Sequence, residues 1–326
     1  MTPRHPSRRT LLQAAAAAAA GAALPARAQS GAPLRILVGF PPGGGTDAIA
    51  RILADGLKDE LGTTVIVENK AGAGGQLAAQ ALKAAPADGR TLFVSHDHTI
   101  SILPQVVRNP GFDPARDFTA VAGFATFVNA FAVAGGTPAR SMAEYIAWVR
   151  SQGAKGVVGV PAPASGPEFL VKVIAAHHQL DLVAAPYRGS APMMADMLGN
   201  QIAAGVGSIP DFIENHRAGK LRVLAVLGAR RQAALPDVPT FAELGLKGFE
   251  DTPYYGFYAP AGTPQAFIQR FSDALAQVVA IPEVRDQLTA MGLTVGTMTP
   301  EQLTTRERAY TAVWRRIILD SGFRPQ

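Results

Sequence analysis

The sequence predicts an α/β fold of mainly parallel sheets flanked by helices. Three observations predict it. Short apolar or β-branched runs recur along the chain, each run ends in a Gly-, Pro- or Ser-containing turn, and most turns open a stretch of helical apolar spacing. Leu34–Val38 is the first such strand. The turn Phe40-Pro41-Pro42-Gly43-Gly44-Gly45-Thr46-Asp47 follows it. Ala48–Leu61 then reads as a helix, with Ile49, Ile52, Leu53, Leu57 and Leu61 near helical spacing and Thr46 or Asp47 as its cap. Thr64–Val67 is a second strand, and Asn69–Gly75 is a second glycine turn opening a helix over Gln76–Ala84. Thr91–Val94 is a third strand, ending in Ser95-His96-Asp97-His98-Thr99.

The middle of the chain repeats the alternation. Val128–Val133 is strand-like, and Ser141 caps a helix reaching Arg150. Gly156–Val160 is a strand followed by a Pro/Ala/Ser loop, and Glu168–His178 is a helix. Leu182–Ala185 is a strand leading through Pro186-Tyr187-Arg188-Gly189-Ser190 into a helix that ends at Leu198. Ile202–Val206 and Leu221–Leu227 are further strands, and Leu235–Asp251 is a connector. Pro264–Ala280, Pro282–Met291 and Pro300–Ser321 read as helices.

Composition agrees with a globular chain. Of 326 residues 48% are hydrophobic, and the length allows one large or two medium domains. There is no cysteine, which excludes a disulfide framework, thiolate metal sites and a cysteine nucleophile. The first 28 residues stand apart. Arg4, Arg8 and Arg9 precede an Ala-rich apolar stretch, Leu11–Leu24, and Ala26-Arg27-Ala28 places small residues where a signal peptidase cuts. Ser7-Arg8-Arg9-Thr10-Leu11-Leu12 resembles a twin-arginine export signal, which predicts a periplasmic protein cleaved near Ala28. The alternative, a membrane anchor, is disfavoured by so short a core. Four of the 30 basic residues lie in this segment and no acid does, leaving 26 basic against 25 acidic residues, a net +1. No basic stripe remains, so nucleic acid is not an expected partner.

Glycine turns at strand ends let backbone amides approach a ligand, and a helix starting there favours an anion. The turns at Gly43–Gly45, Gly74–Gly75 and Gly189 have this form, and in an open α/β sheet such turns share one crevice. Tight-turn geometry alone is the competing reading. Neither Gly-x-Gly-x-x-Gly nor a Gly-Lys-Ser/Thr phosphate loop is present. His96, Asp97 and His98 form a local cluster without further ligands at recognisable spacing, so His96 and His98 are expected to border the crevice rather than hold a metal. No cofactor is implied. A secreted hydrolase using one of these histidines beside a serine is a distant alternative, for no Gly-x-Ser-x-Gly elbow exists.

Seven motifs in register resemble the receptors of tripartite tricarboxylate transporters, the Bug proteins. They are Phe40–Asp47, Val67–Gly75, Asp88–Leu92, Phe112–Phe118, Pro186–Pro192, Ala234–Thr240 and Phe257–Pro264. The resemblance spans nearly all of the chain beyond the signal. It implies a two-lobed periplasmic binding protein of type II-like topology, with one lobe at about 30–129 plus 253–326, the other at about 130–252, and a ligand cleft between them. It implies a monomer that is not an enzyme, takes a small organic ligand, commonly a carboxylate, and delivers it to membrane permease subunits. A sensor subunit for a membrane receptor is the alternative role. Carried onto this chain, the ligand-holding groups are Phe40, Pro42, Gly43, Gly44, Gly45, Thr46, Asp47, Ser95, His96 and Thr99 on the first lobe. On the second they are Ser165, Gly166, Arg188, Gly189, Ser190 and Ser208, with Arg188 as counter-charge for the carboxylate. The chain departs from the family at Val160–Glu168. There Pro161, Pro163 and Pro167 remove three amide donors and Glu168 stands where a histidine is usual. His96 and His98 are also unusual, and a less acidic, more apolar or partly cationic ligand becomes the expectation.

Overall fold

Period-two alternation in β1 (Leu34–Val38) sends Ile36 and Val38 to one face of a sheet and Leu37 to the other, and both faces are covered. Ile36 and Val38 share a core with Ile49, Leu53 and Leu57 of helix α1 (Gly45–Leu61), and Leu37 shares another with Leu82 and Phe93. Burial on both faces is what a parallel strand under two helix layers requires. The computed structural model in which these contacts are seen describes residues 32–153 and 155–325. The export segment lies outside them.

The chain continues through β2 (Val65–Asn69), a 3₁₀ turn (Ala73–Gly75), α2 (Gln76–Lys83) and β3 (Thr91–His96). A π-helical turn (His98–Ile102), the short helices α3 (Leu103–Val106) and α4 (Pro114–Asp117), and β4 (Phe118–Thr126) follow. The second half holds β5 (Asn129–Ala134), α5 (Met142–Ser151), β6 (Lys155–Val160), α6 (Gly166–His178), β7 (Asp181–Pro186), α7 (Ser190–Leu198), β8 (Ala204–Ser208), α8 (Ile209–Arg217) and β9 (Leu221–Val226). β10 (Tyr254–Pro260), α9 (Gln265–Ala280), α10 (Pro282–Ala290), β11 (Thr294–Met298) and α11 (Pro300–Asp320) complete it. Six strands form one sheet in the order β11-β4-β10-β3-β1-β2, and five form a second, β7-β6-β8-β5-β9.

The chain crosses between the sheets twice. β4 passes through Phe127 and Val128 into β5, and β9 returns through residues 227–253 to β10. The crossings are tied together, for Phe127 N–H donates to Pro253 C=O at 3.1 Å and Leu227 N–H to Asn129 C=O at 2.8 Å. Both sheets are mixed, not mainly parallel. Within the βα units, β1 pairs in parallel with β2 and β3, and β6 with β7 and β8. The crossing strands β4, β5 and β10 run against their neighbours. Ser141 caps α5 as expected, accepting Glu144 N–H at 3.1 Å. The expected cap of α1 is not seen. The helix starts three residues earlier with Gly44 at its N-cap, and Asp47 lies inside the first turn, reaching back to Gly43 N–H at 3.0 Å. Among the described residues no helix is long and apolar enough to cross a membrane.

Candidate functional site

Four helices begin on one cavity between the sheets. Thr46 comes from the first turn of α1, Gly166 and Pro167 from α6, Ser190 from α7, and Ser208 with Asp211 from the start of α8. Each helix follows the end of a strand, so its first amides point into the space the strand ends enclose. In α1 the first intrahelical bond is Ala48 N–H to Gly44 C=O at 3.1 Å, which leaves the Thr46 and Asp47 amides without a helical acceptor. The cavity counts about 510 Å³ of space free of protein atoms, its mouth included. Phe40, Phe127 and Tyr255 supply an apolar wall, and Pro161 and Ala162 a lip from the second half.

His96 sits in the aromatic wall. Its ring stacks on Phe40 with centroids 5.0 Å apart and meets Phe127 and Tyr255 edge-on. Its Nδ1 lies 3.3 Å from Asp97 Oδ1, and Tyr310 O–H donates to Asp97 Oδ2 at 2.9 Å. His98 is 4% exposed, and its Nδ1 has no hydrogen-bond partner among the described residues. Its Nε2 packs on Gly74, where an added Cβ would stand 2.5 Å from that nitrogen. Burial, and then the neighbouring His96, lower the His98 pKa to about 4, so the ring is neutral at pH 7. The lining contains, among the described residues, two acids, Asp97 and Asp211, and neither lysine nor arginine. Among the described residues no group of three potential ligands is placed to hold a metal ion.

The residues singled out from sequence divide. Phe40, Thr46, His96, Ser165, Gly166, Ser190 and Ser208 line the cavity. Gly43, Gly44 and Gly45 line a groove outside it instead, and Pro42 is exposed beside them. Asp47 faces away from the cavity. Burial opposes its ionisation, but hydrogen bonds from Arg51, Gly43 N–H and Asn69 overcome this and hold its carboxyl below the usual range. Ser95 and Thr99 are buried beneath the lining, with the Thr99 hydroxyl donating to Gly74 C=O at 2.8 Å. Gly189 lies behind Ser190 and packs on Pro41.

Arg188, expected as the counter-charge, does not line the cavity. It precedes a glycine at φ 117° that turns the chain inward, and the arginine itself is left exposed outside the cavity. Arg188→Ala is therefore expected to leave ligand affinity within about twofold, measured by titration calorimetry. Glu168 is also turned away. It accepts Ala164 N–H at 2.7 Å and pairs with Lys172 at 2.7 Å, holding Ala164 at φ 49°. His98 also lines the cavity, and the lining residues Asp97, Phe127, Asn129, Pro161, Ala162, Pro167, Asp211 and Tyr255 were not among the site residues singled out. A signal existed for Asp211, since Ser208-Ile209-Pro210-Asp211 has the spacing of a helix start at a strand end.

Comparison with known proteins agrees with this architecture. A model of the tripartite tricarboxylate transporter family receptor matches residues 49–323, and a model of the twin-arginine translocation signal matches residues 5–25. Protein BugT of Bordetella pertussis strain Tohama I is 31% identical over 87% of this chain and 88% of its own length. The R. palustris protein Rpa4515, solved with adipate, superposes with a TM-score of 0.85 at 28% identity, over 90% of this chain and 98% of that one. MatC from Rhodopseudomonas palustris, solved with bound malate, gives a TM-score of 0.80 at 26% identity, over 88% and 98%. Neither the His96 nor the His98 imidazole is hydrogen-bonded to a serine hydroxyl among the described residues, and the matching family model is that of a transporter receptor. The chain belongs to the tripartite tricarboxylate transporter receptor family and is an exported periplasmic solute-binding protein.

Proposed function

We propose that the cavity holds a small organic acid by one carboxylate group and that the closed, loaded protein hands it to the permease subunits of a tripartite tricarboxylate-type transporter. The observation that carries this is the convergence of four helix starts, drawn from both sheets, on one partly apolar cavity. Neutral donors do the holding: the Thr46 amide, the hydroxyls of Thr46 and Ser190, and the first amide of α6. Phe40, Phe127 and Tyr255 take the carbon skeleton. The R. palustris relatives, solved with adipate and malate, support a carboxylate ligand.

In this reading residues 30–129 with 253–326 form one lobe and 130–252 the other, the lobes open about the two crossings, and the receptor works as a monomer. Melting of the purified protein with a panel of organic acids and their amides tests it. An acid should raise the melting temperature where its amide does not, because the amide lacks the charge that helix starts favour. Stabilisation by none of the acids overturns the proposal.

A further inference from the structure

We infer that Asp211 is the charge filter of the cleft: its carboxylate bolts the two lobes together and restricts the occupant to acids carrying a single negative charge. The inference rests on the carboxylate reading above. Asp211 sits in the first turn of α8, and its Oδ1 accepts the Gly45 N–H across the cleft at 3.0 Å. Its Oδ2 accepts the Ser208 N–H at 3.1 Å and the Ser208 hydroxyl at 2.6 Å. All three bonds use the acid as acceptor, the role of a carboxylate. The protein thus spends the first amide of α1 on an acid of its own.

The position of this bond gives it a second consequence. Asp211 and Ser190 line both the inner cavity and the outer groove bordered by Gly43–Gly45, so the Asp211–Gly45 bond stands between ligand space and solvent. Burial raises the Tyr255 phenol, and the Asp211 charge raises it further, as expected for a charge felt inside the cavity. The nearest cation on α1, Arg51, is bound to Asp47 and Asn69 outside. A ligand's first carboxylate finds the remaining neutral donors. A second carboxylate finds Asp97 and Asp211 and no arginine or lysine, in a space where salt screens little.

Matched acids differing only by a second carboxylate test the inference: butyrate and succinate, hexanoate and adipate, benzoate and terephthalate. Each is titrated calorimetrically at pH 7.5 into the wild type, D211N and D211S. The readout is the ratio of affinities within a pair, so weaker closure in a variant cancels. In the wild type the monoacid should bind at least about tenfold tighter than its diacid, and in both variants that preference should fall to about threefold or less. A wild type that binds the diacid as tightly as the monoacid overturns the inference, as does a preference unchanged in both variants. Binding of no acid by any of the three proteins overturns the carboxylate reading itself, and this inference with it.

Discussion

Gly189→Ala is expected to weaken ligand binding by roughly 10- to 100-fold, a loss separate from what the substitution costs in fold stability of the empty protein. Gly189 stands just before α7 at φ 117° and ψ 172°, backbone open in practice to glycine alone, and its N–H donates to Pro161 C=O at 2.9 Å. Strain there costs about 1–3 kcal/mol in the open and closed forms alike. Closure adds a separate cost. The new Cβ would stand 2.5 Å from Pro41 Cδ, a ring atom of the opposite lobe that cannot swing aside. Overpacking of this kind costs about 1–3 kcal/mol, and each 1.4 kcal/mol is tenfold in affinity. Because the second cost falls only on the closed form, it appears in the dissociation constant and not in the melting of the ligand-free protein. Calorimetry paired with thermal melting separates them. Unchanged affinity beside a lowered melting temperature would mean that Pro41 and Gly189 do not meet when ligand is bound.

The same pair shows what the sequence makes legible. Glycine turns at strand ends are local features, and so are the strand runs Leu34–Val38 and Leu221–Leu227; the residues that build them are adjacent in the chain. Three strands of the first sheet were not expected. β10 is Tyr-Tyr-Gly-Phe-Tyr-Ala-Pro, buried at every position, so no alternation marks it. β4 is rich in alanine and glycine, and its ladder to β10 slips register twice. β11 is an exposed edge. At the site, Phe40, Thr46 and Ser190 were found because motifs contain them. Asp211 and Gly45 stand 166 positions apart and meet only because of how the two sheets face each other, and Asp97 and Tyr310 stand 213 apart and meet only because the C-terminal helix packs back on the first sheet. Arg188 lies outside the lining although it sits in one of those motifs. A charge beside a glycine turn invites a role, but which neighbour of Gly189 lines the cavity is set by the folded backbone, and it is Ser190.

Buried His98 and half-buried Glu307 should cancel each other's dependence of stability on pH, and removing either should expose the other. Burial lowers the His98 pKa from 6.5 to about 4, and burial raises that of Glu307 on α11 from 4.5 to about 7. Below pH 6.5 the unfolded chain takes up the imidazole proton before the folded chain does. The stability His98 allows at neutral pH is therefore lost as pH falls from 6.5 to 4, by about 3 kcal/mol in all. Glu307 has the opposite sign. Its neutral form suits the fold, so its contribution is complete below pH 4.5 and is lost as pH rises to 7, again by about 3 kcal/mol. Between pH 4.5 and 6.5 the two slopes oppose each other. Glu307→Gln should thus gain stability over the wild type at pH 7.5 and then fall steadily on acidification, while His98→Gln should become more stable from pH 7 down to 4.5. Urea unfolding of the wild type and both variants at half-unit pH steps measures this, and the differences between proteins remove the background from His178 and His216, whose pKa values burial also lowers. Parallel pH profiles for wild type and His98→Gln would show that the folded protein lets His98 take up a proton as freely as the unfolded chain does. The histidine would then have to find water or a partner in the cavity, which would remove it as a neutral wall of the site.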